Sequence, residues 1–160
     1  MKKIIFGLLF MVAGGLCFTA CSDDDNNGNQ IHATTPERVA VGTYSGTYTV
    51  SWTDKTGSYT ETKDGTVTLN AADAAYTVNV SVDAPKGEKT PALSKESVAN
   101  ITYVNEGFAF SNMLVTNGLG TTFAGTISEG GALAMNFTIS VKNGRQVVTY
   151  KYAFVGQKQN

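Results

Sequence analysis

The residues able to carry out chemistry are few. His32 is the single histidine of the 160-residue chain, and it lies in a polar stretch with almost nothing to bury, so the folded part has no histidine for a hydrolytic triad or a His/Cys zinc site. The carboxylates Asp54, Asp64, Asp73, Asp83, Glu88, Glu106 and Glu129 mostly fall at expected turns. Glycoside hydrolysis would need two of them facing one another across a cleft. Asp23-Asp24-Asp25 would attract Ca²⁺ only weakly, because an extended run lacks the fixed loop of a calcium site. Catalytic residues, metal ligands and a cofactor are therefore not expected, and an enzyme is the weakest class. One thiol does have a context for covalent chemistry. Cys21 follows small residues at the end of an apolar run that begins at Ile4.

Lys2 and Lys3 precede that run, and the order of positive, apolar and small residues is that of a secretory leader. A membrane-spanning helix needs about twenty apolar residues, and here Cys21-Ser22-Asp23-Asp24-Asp25 ends the run abruptly. Phe18-Thr19-Ala20-Cys21 resembles the lipobox of bacterial lipoproteins, with Phe18 where Leu is commoner. The resemblance implies cleavage before Cys21 and acylation of its sulfur. One acyl chain binds a membrane only reversibly; the three that such lipoproteins carry imply permanent attachment. Ser22-Asp23-Asp24-Asp25 resembles the surface-export signal of lipoproteins in Gram-negative gut commensals, which implies the outer membrane with the protein facing the exterior. The alternative is the periplasmic face, with the acidic run a self-repelling spacer. Cys17 leaves with the leader, so no disulfide staples the mature chain.

The expected organisation is a signal peptide at 1–20, the lipidated cysteine with a disordered acidic and polar tether at 21–39, and one domain at 40–160. The formal charge is −1, and losing Lys2 and Lys3 makes the rest more acidic. Arg38 and Arg145 are the only arginines and no basic stripe exists, which argues against nucleic acid.

The domain reads as short alternating strands. Tyr44, Tyr48, Val50 and Trp52 share one face of the first, with Gly46 on the same face marking a bend or close approach. Asp54–Gly57 reads as a turn, Ser58–Lys63 as a weak polar strand, and Asp64-Gly65 as a second turn into Thr66–Leu69. Tyr76, Val78, Val80 and Val82 share the next apolar face. A loop from Asp83 to Lys95 follows, then strands at Ser97–Val104, Phe108–Thr116 and Thr121–Ser128, with turns at Asn105-Glu106-Gly107 and Asn117-Gly118. Asn143-Gly144 reads as a type I′ hairpin turn. With Lys142 opposite Arg145, Ile139 faces Val148, Phe137 faces Tyr150, Met135 faces Tyr152 and Leu133 faces Phe154, and a one-residue slip would destroy that match. Strands with one apolar face each must close or sandwich. The expected fold is all-β, an antiparallel up-and-down barrel of about eight strands, with a two-sheet sandwich as the alternative.

Gly42-Thr43-Tyr44-Ser45-Gly46-Thr47-Tyr48 behind a tether, and the ending Tyr152-Ala153-Phe154-Val155-Gly156-Gln157-Lys158, resemble the calycin-like, lipocalin-related β-barrel domains of surface lipoproteins. The resemblance implies a barrel and transfers no catalytic residue. Aromatics remain as the functional resource. Tyr48, Trp52, Tyr76, Tyr103, Tyr150 and Tyr152 are the candidate ligand-binding residues, since buried hydroxyls need partners; the competing expectation is that they simply pack the core. The leading expectation is a non-catalytic binding module for a small apolar or glycan-like ligand within or at the mouth of the barrel. The alternative is a structural, interaction or inhibitor module that engages a protein partner, such as an outer-membrane protein, through loops like Asp83–Lys95.

Overall fold

The computed structural model describes residues 35–112 and 123–160. The leader, Cys21, the Ser22–Asp25 run, His32 and the Asn117-Gly118 turn lie outside them. After a one-turn helix α1 (Pro36–Ala40) come eight strands: β1 (Gly42–Asp54), β2 (Gly57–Ala71), β3 (Thr77–Ala84), β4 (Leu93–Val104), β5 (Gly107–Ser111), β6 (Phe123–Ser128), β7 (Ala132–Asn143) and β8 (Gln146–Lys158). Each strand pairs antiparallel with its sequence neighbours, and β1 closes the ring on β8. The fold is a closed up-and-down barrel, not a sandwich. Closure leaves neither β1 nor β8 as a free edge.

Alternation drives this. In β3 the pattern places Val78, Val80, Val82 and Ala84 inside, and in β6 it places Phe123 and Ile127 inside. The interior is occupied by side chains. Tyr48 meets Phe137 and Tyr152 edge-on, at 6.4 and 6.3 Å between ring centroids, and lies 4.7 Å from Phe154. Phe137 and Tyr152 stack at 4.8 Å with only 3° between their planes. Buried hydroxyls find carbonyls: Tyr48 donates to Thr66 at 2.8 Å and Tyr44 to Ala40 at 2.7 Å.

Three expectations change. Asp64-Gly65 is not a turn, because β2 runs unbroken through it with Gly65 opposite Gly46. Glycine appears there because the chains come too close for a Cβ, not because the chain reverses. The last hairpin pairs Asn143 with Gln146, two residues on from the expected register, so that Ile139 faces Tyr150, Phe137 faces Tyr152 and Met135 faces Phe154. Its central residues are Gly144 and Arg145, with Gly144 at φ 59°, the left-handed start that a type II′ turn demands. Tyr76 leaves the inward face: it precedes β3, has φ 57° and is 56 % exposed.

One end of the barrel, here the base, carries α1 and the β2–β3, β4–β5 and β6–β7 connections; the other, the mouth, carries the β1–β2, β3–β4 and β7–β8 connections. The helix α1, which the sequence reading did not include, packs against β2 and β4 at the base. Its last carbonyls would otherwise lack donors; Ala40 accepts from Tyr44 and Val39 from the Lys158 ammonium at 3.0 Å. Glu37 is fully buried beside them, and neither carboxylate oxygen has a hydrogen-bond partner.

Burial raises Tyr44 and Tyr152 to about 12 and pushes Tyr48 up further, helped by the negative charge of Asp83. A raised folded-state pKa contributes stability that is intact below the unfolded value near 10 and lost as pH climbs through the folded one. The barrel is therefore expected to lose stability between pH 10 and about 12, these three tyrosines ionising together with loss of the near-ultraviolet circular dichroism signal. Their ionisation with that signal intact would show that they are not packed inside.

Candidate functional site

The first strand brings Trp52 to the mouth, and the barrel's registers bring it partners from both sides: Tyr59 of β2 and Tyr150 of β8 lie directly across from it. The Trp52 and Tyr59 rings stack at 5.3 Å and 21°, and Tyr150 lies 5.6 Å from Trp52 at 43°. Trp52 is nearly buried, whereas Tyr59 and Tyr150 are half-buried and keep part of each ring open. A groove runs over this row, lined also by Asp54, Lys55, Thr56, Lys89, Gln146 and Val148.

Its polar wall is held by local hydrogen bonds. Asp54 accepts from the backbone N–H of Thr56 at 2.7 Å and from its hydroxyl at 2.6 Å, which together hold its carboxyl below the ordinary range. The Thr56 hydroxyl is also 2.6 Å from that of Tyr59. The Lys89 ammonium lies 4.9 Å from the centre of the Tyr59 ring, a cation–π geometry.

Lys89 reaches this position because the β3–β4 loop is tied down by two inward-facing residues of β2. Glu61 accepts from the backbone N–H groups of Glu88 at 2.5 Å and Lys89 at 3.1 Å. Partial desolvation would raise the Glu61 carboxyl, but these donors prevail and hold it low. Lys63 donates to the Thr90 hydroxyl at 2.9 Å and the Pro91 carbonyl at 3.0 Å. Desolvation lowers its pKa, with the Glu61 charge opposing. Lys63 also sits 5.9 Å above the Tyr152 ring, so this charged layer separates the groove from the packed interior.

The six candidate residues thus divide three ways. Trp52 and Tyr150 meet at the groove. Tyr48 and Tyr152 are core residues, 0 % and 2 % exposed. Tyr76 and Tyr103 are exposed; Tyr103 shares the inward parity of Ile101 but lies where β4 has β5 alone beside it, its ring 5.1 Å from that of Phe108. Tyr59 and Lys89 belong to the groove and were missed. Tyr59 could have been found by continuing the period of Val67 and Leu69 back through Gly65, Lys63 and Glu61.

Other depressions lie on the outer wall, one lined by Ala109, Ser111, Ala124 and Asn136 and another that also meets Phe123, Phe137 and Tyr152, rings that are all but buried in the core. Among the described residues no three His, Cys, Asp or Glu side chains gather as a metal site requires. No protein-family profile, curated protein or solved structure matches the chain.

Proposed function

We propose that the chain is a membrane-anchored, cell-surface binding module that takes a glycan-like ligand in the groove at the mouth of its barrel. The observation that carries this is the row Tyr59–Trp52–Tyr150, stacked and partly open between hydroxyl and charged groups. A sugar presents apolar C–H faces and a rim of hydroxyls; flat rings flanked by Thr56, Asp54 and Gln146 complement both. The filled interior favours the mouth over the lumen. Anchoring through Cys21 and export through Ser22–Asp25 rest on the sequence. The base is where α1 joins β1, so a tether leading into α1 would leave the mouth pointing away from the membrane.

The full chain in non-ionic detergent, titrated with neutral oligosaccharides in a calorimeter, tests this. Trp52→Ala and Tyr150→Ala are expected to weaken binding about tenfold each, in line with one lost aromatic contact. A loss of affinity no larger than the loss of folded protein would defeat the proposal. A protein partner is the second reading, favoured by the exposure of Lys86, Glu88 and Lys89 on the tied β3–β4 loop.

A further inference from the structure

The two ends of the barrel carry opposite charge. The described mouth connections hold Lys55, Lys86, Lys89 and Arg145 against Glu88, with Lys63 and the carboxylates of Asp54 and Glu61 on the adjoining strands, whereas those at the base hold Asp73, Glu106 and Glu129, with Arg38 of α1 and Lys158 as the basic residues there. The net charge of −1 does not report this bias. Within the groove the carboxylates keep their charge but use hydrogen-bonding capacity on the chain itself. Asp54 turns an oxygen to Thr56, and both Glu61 oxygens go to the backbone of the β3–β4 loop. One Asp54 oxygen and both Glu61 oxygens are thus taken by neighbouring parts of the mouth. Lys89, by contrast, holds its ammonium over the Tyr59 ring, 4.9 Å from its centre, at the edge of the groove.

From this juxtaposition, an aromatic platform with ammonium groups at its edge and an acidic opposite end, we infer that the groove selects an acidic saccharide, its carboxylate received by Lys89 and Lys55 while a sugar face stacks on Tyr150. The inference rests on the mouth groove being a sugar site and adds the charge of the ligand. An acidic ligand also gains from the field of the whole end, since clustered charge of one sign raises the local concentration of its counter-ion.

The test is calorimetric titration of the full chain in non-ionic detergent with tetragalacturonate and, in parallel, its fully methyl-esterified form. The expected result is that the acid binds at least tenfold tighter, that the advantage shrinks as salt is raised, and that Lys89→Gln removes most of the difference between acid and ester. Arg38→Gln, at the base, should change neither. Equal affinities for acid and ester would overturn the inference and leave the sugar groove standing. Binding of neither form, nor of neutral oligosaccharides, would remove the groove reading itself. An acid preference lost equally in Arg38→Gln and Lys89→Gln would mean diffuse ion pairing and would also overturn it.

Discussion

Gly46→Ala is expected to cost about 3 kcal/mol or more of folding stability, the top of the range for overpacking a core. A Cβ on Gly46 would be driven into the carbonyl oxygen of Val155 and the Cα of Gly156, and would lie 2.7 Å from the Val155 carbonyl carbon. All three atoms belong to the β8 backbone, which has no rotamer to escape into. Gly46 pairs with Gly156 across the seam that closes the ring and with Gly65 on its other side, so three glycines stand in one row across β2, β1 and β8. Neighbouring rings fill the space: a Cβ on Gly65 would lie 2.7 Å from a Tyr48 ring carbon, and one on Gly156 would lie 2.5 Å from a Phe154 ring carbon. Glycine rows of this kind let a sheet curl sharply enough to close, with aromatics covering the bare backbone. Urea denaturation of Gly46→Ala beside Gly130→Ala decides the matter. The latter's Cβ would have Ser128 Oγ at 3.8 Å as its nearest neighbour and should stay within about 0.5 kcal/mol of the parent. Equal midpoints for the two would show that the seam is looser than described.

The barrel was legible in the sequence because one variable, the period-two pattern, determines which face of each strand is wet, and faces determine closure. That pattern has two blind spots, and the errors lie in them. It cannot tell a register from one displaced by two residues, since both keep Met135, Phe137 and Ile139 on the same face; only the turn decides, and Gly144 with Arg145 made a different turn from Asn143 with Gly144. Nor does it report depth along the barrel axis. Tyr103 has the parity of Ile101 and is still 57 % exposed, because β3 begins at Thr77 opposite Asn100 and leaves that side of β4 uncovered. Half of the site was visible for the same reason. Trp52 and Tyr150 each end an apolar alternation, whereas Tyr59 was hidden by the inward charges of Glu61 and Lys63, and Lys89 needed a loop whose path depends on both.

Tyr48 separates core from site most sharply. It is fully buried, touches the rings of Phe137, Tyr152 and Phe154, and hydrogen-bonds Thr66. Truncation to alanine removes a whole ring from a place where no neighbour can swing in, since Phe137 and Tyr152 are stacked on one another. Large aromatic-to-alanine changes of this kind cost about 3–5 kcal/mol, against a total stability of about 5–15 kcal/mol for an ordinary domain. Tyr48→Phe keeps the ring and loses one hydrogen bond, so it should cost only about 1 kcal/mol. Saccharide affinity of the folded fraction should stay at the parent value in both, because the Lys63 layer lies between Tyr48 and the groove. Tyr150→Ala, which removes a half-buried ring at the groove, should show the reverse, with affinity of the folded protein falling and the smaller loss of stability. The pair of measurements, denaturation midpoint and affinity on the same preparations, therefore has a clear failing pattern. Were Tyr48→Ala to fold with unchanged stability and lose its ligand, the lumen would be the binding site and the mouth groove only its entrance.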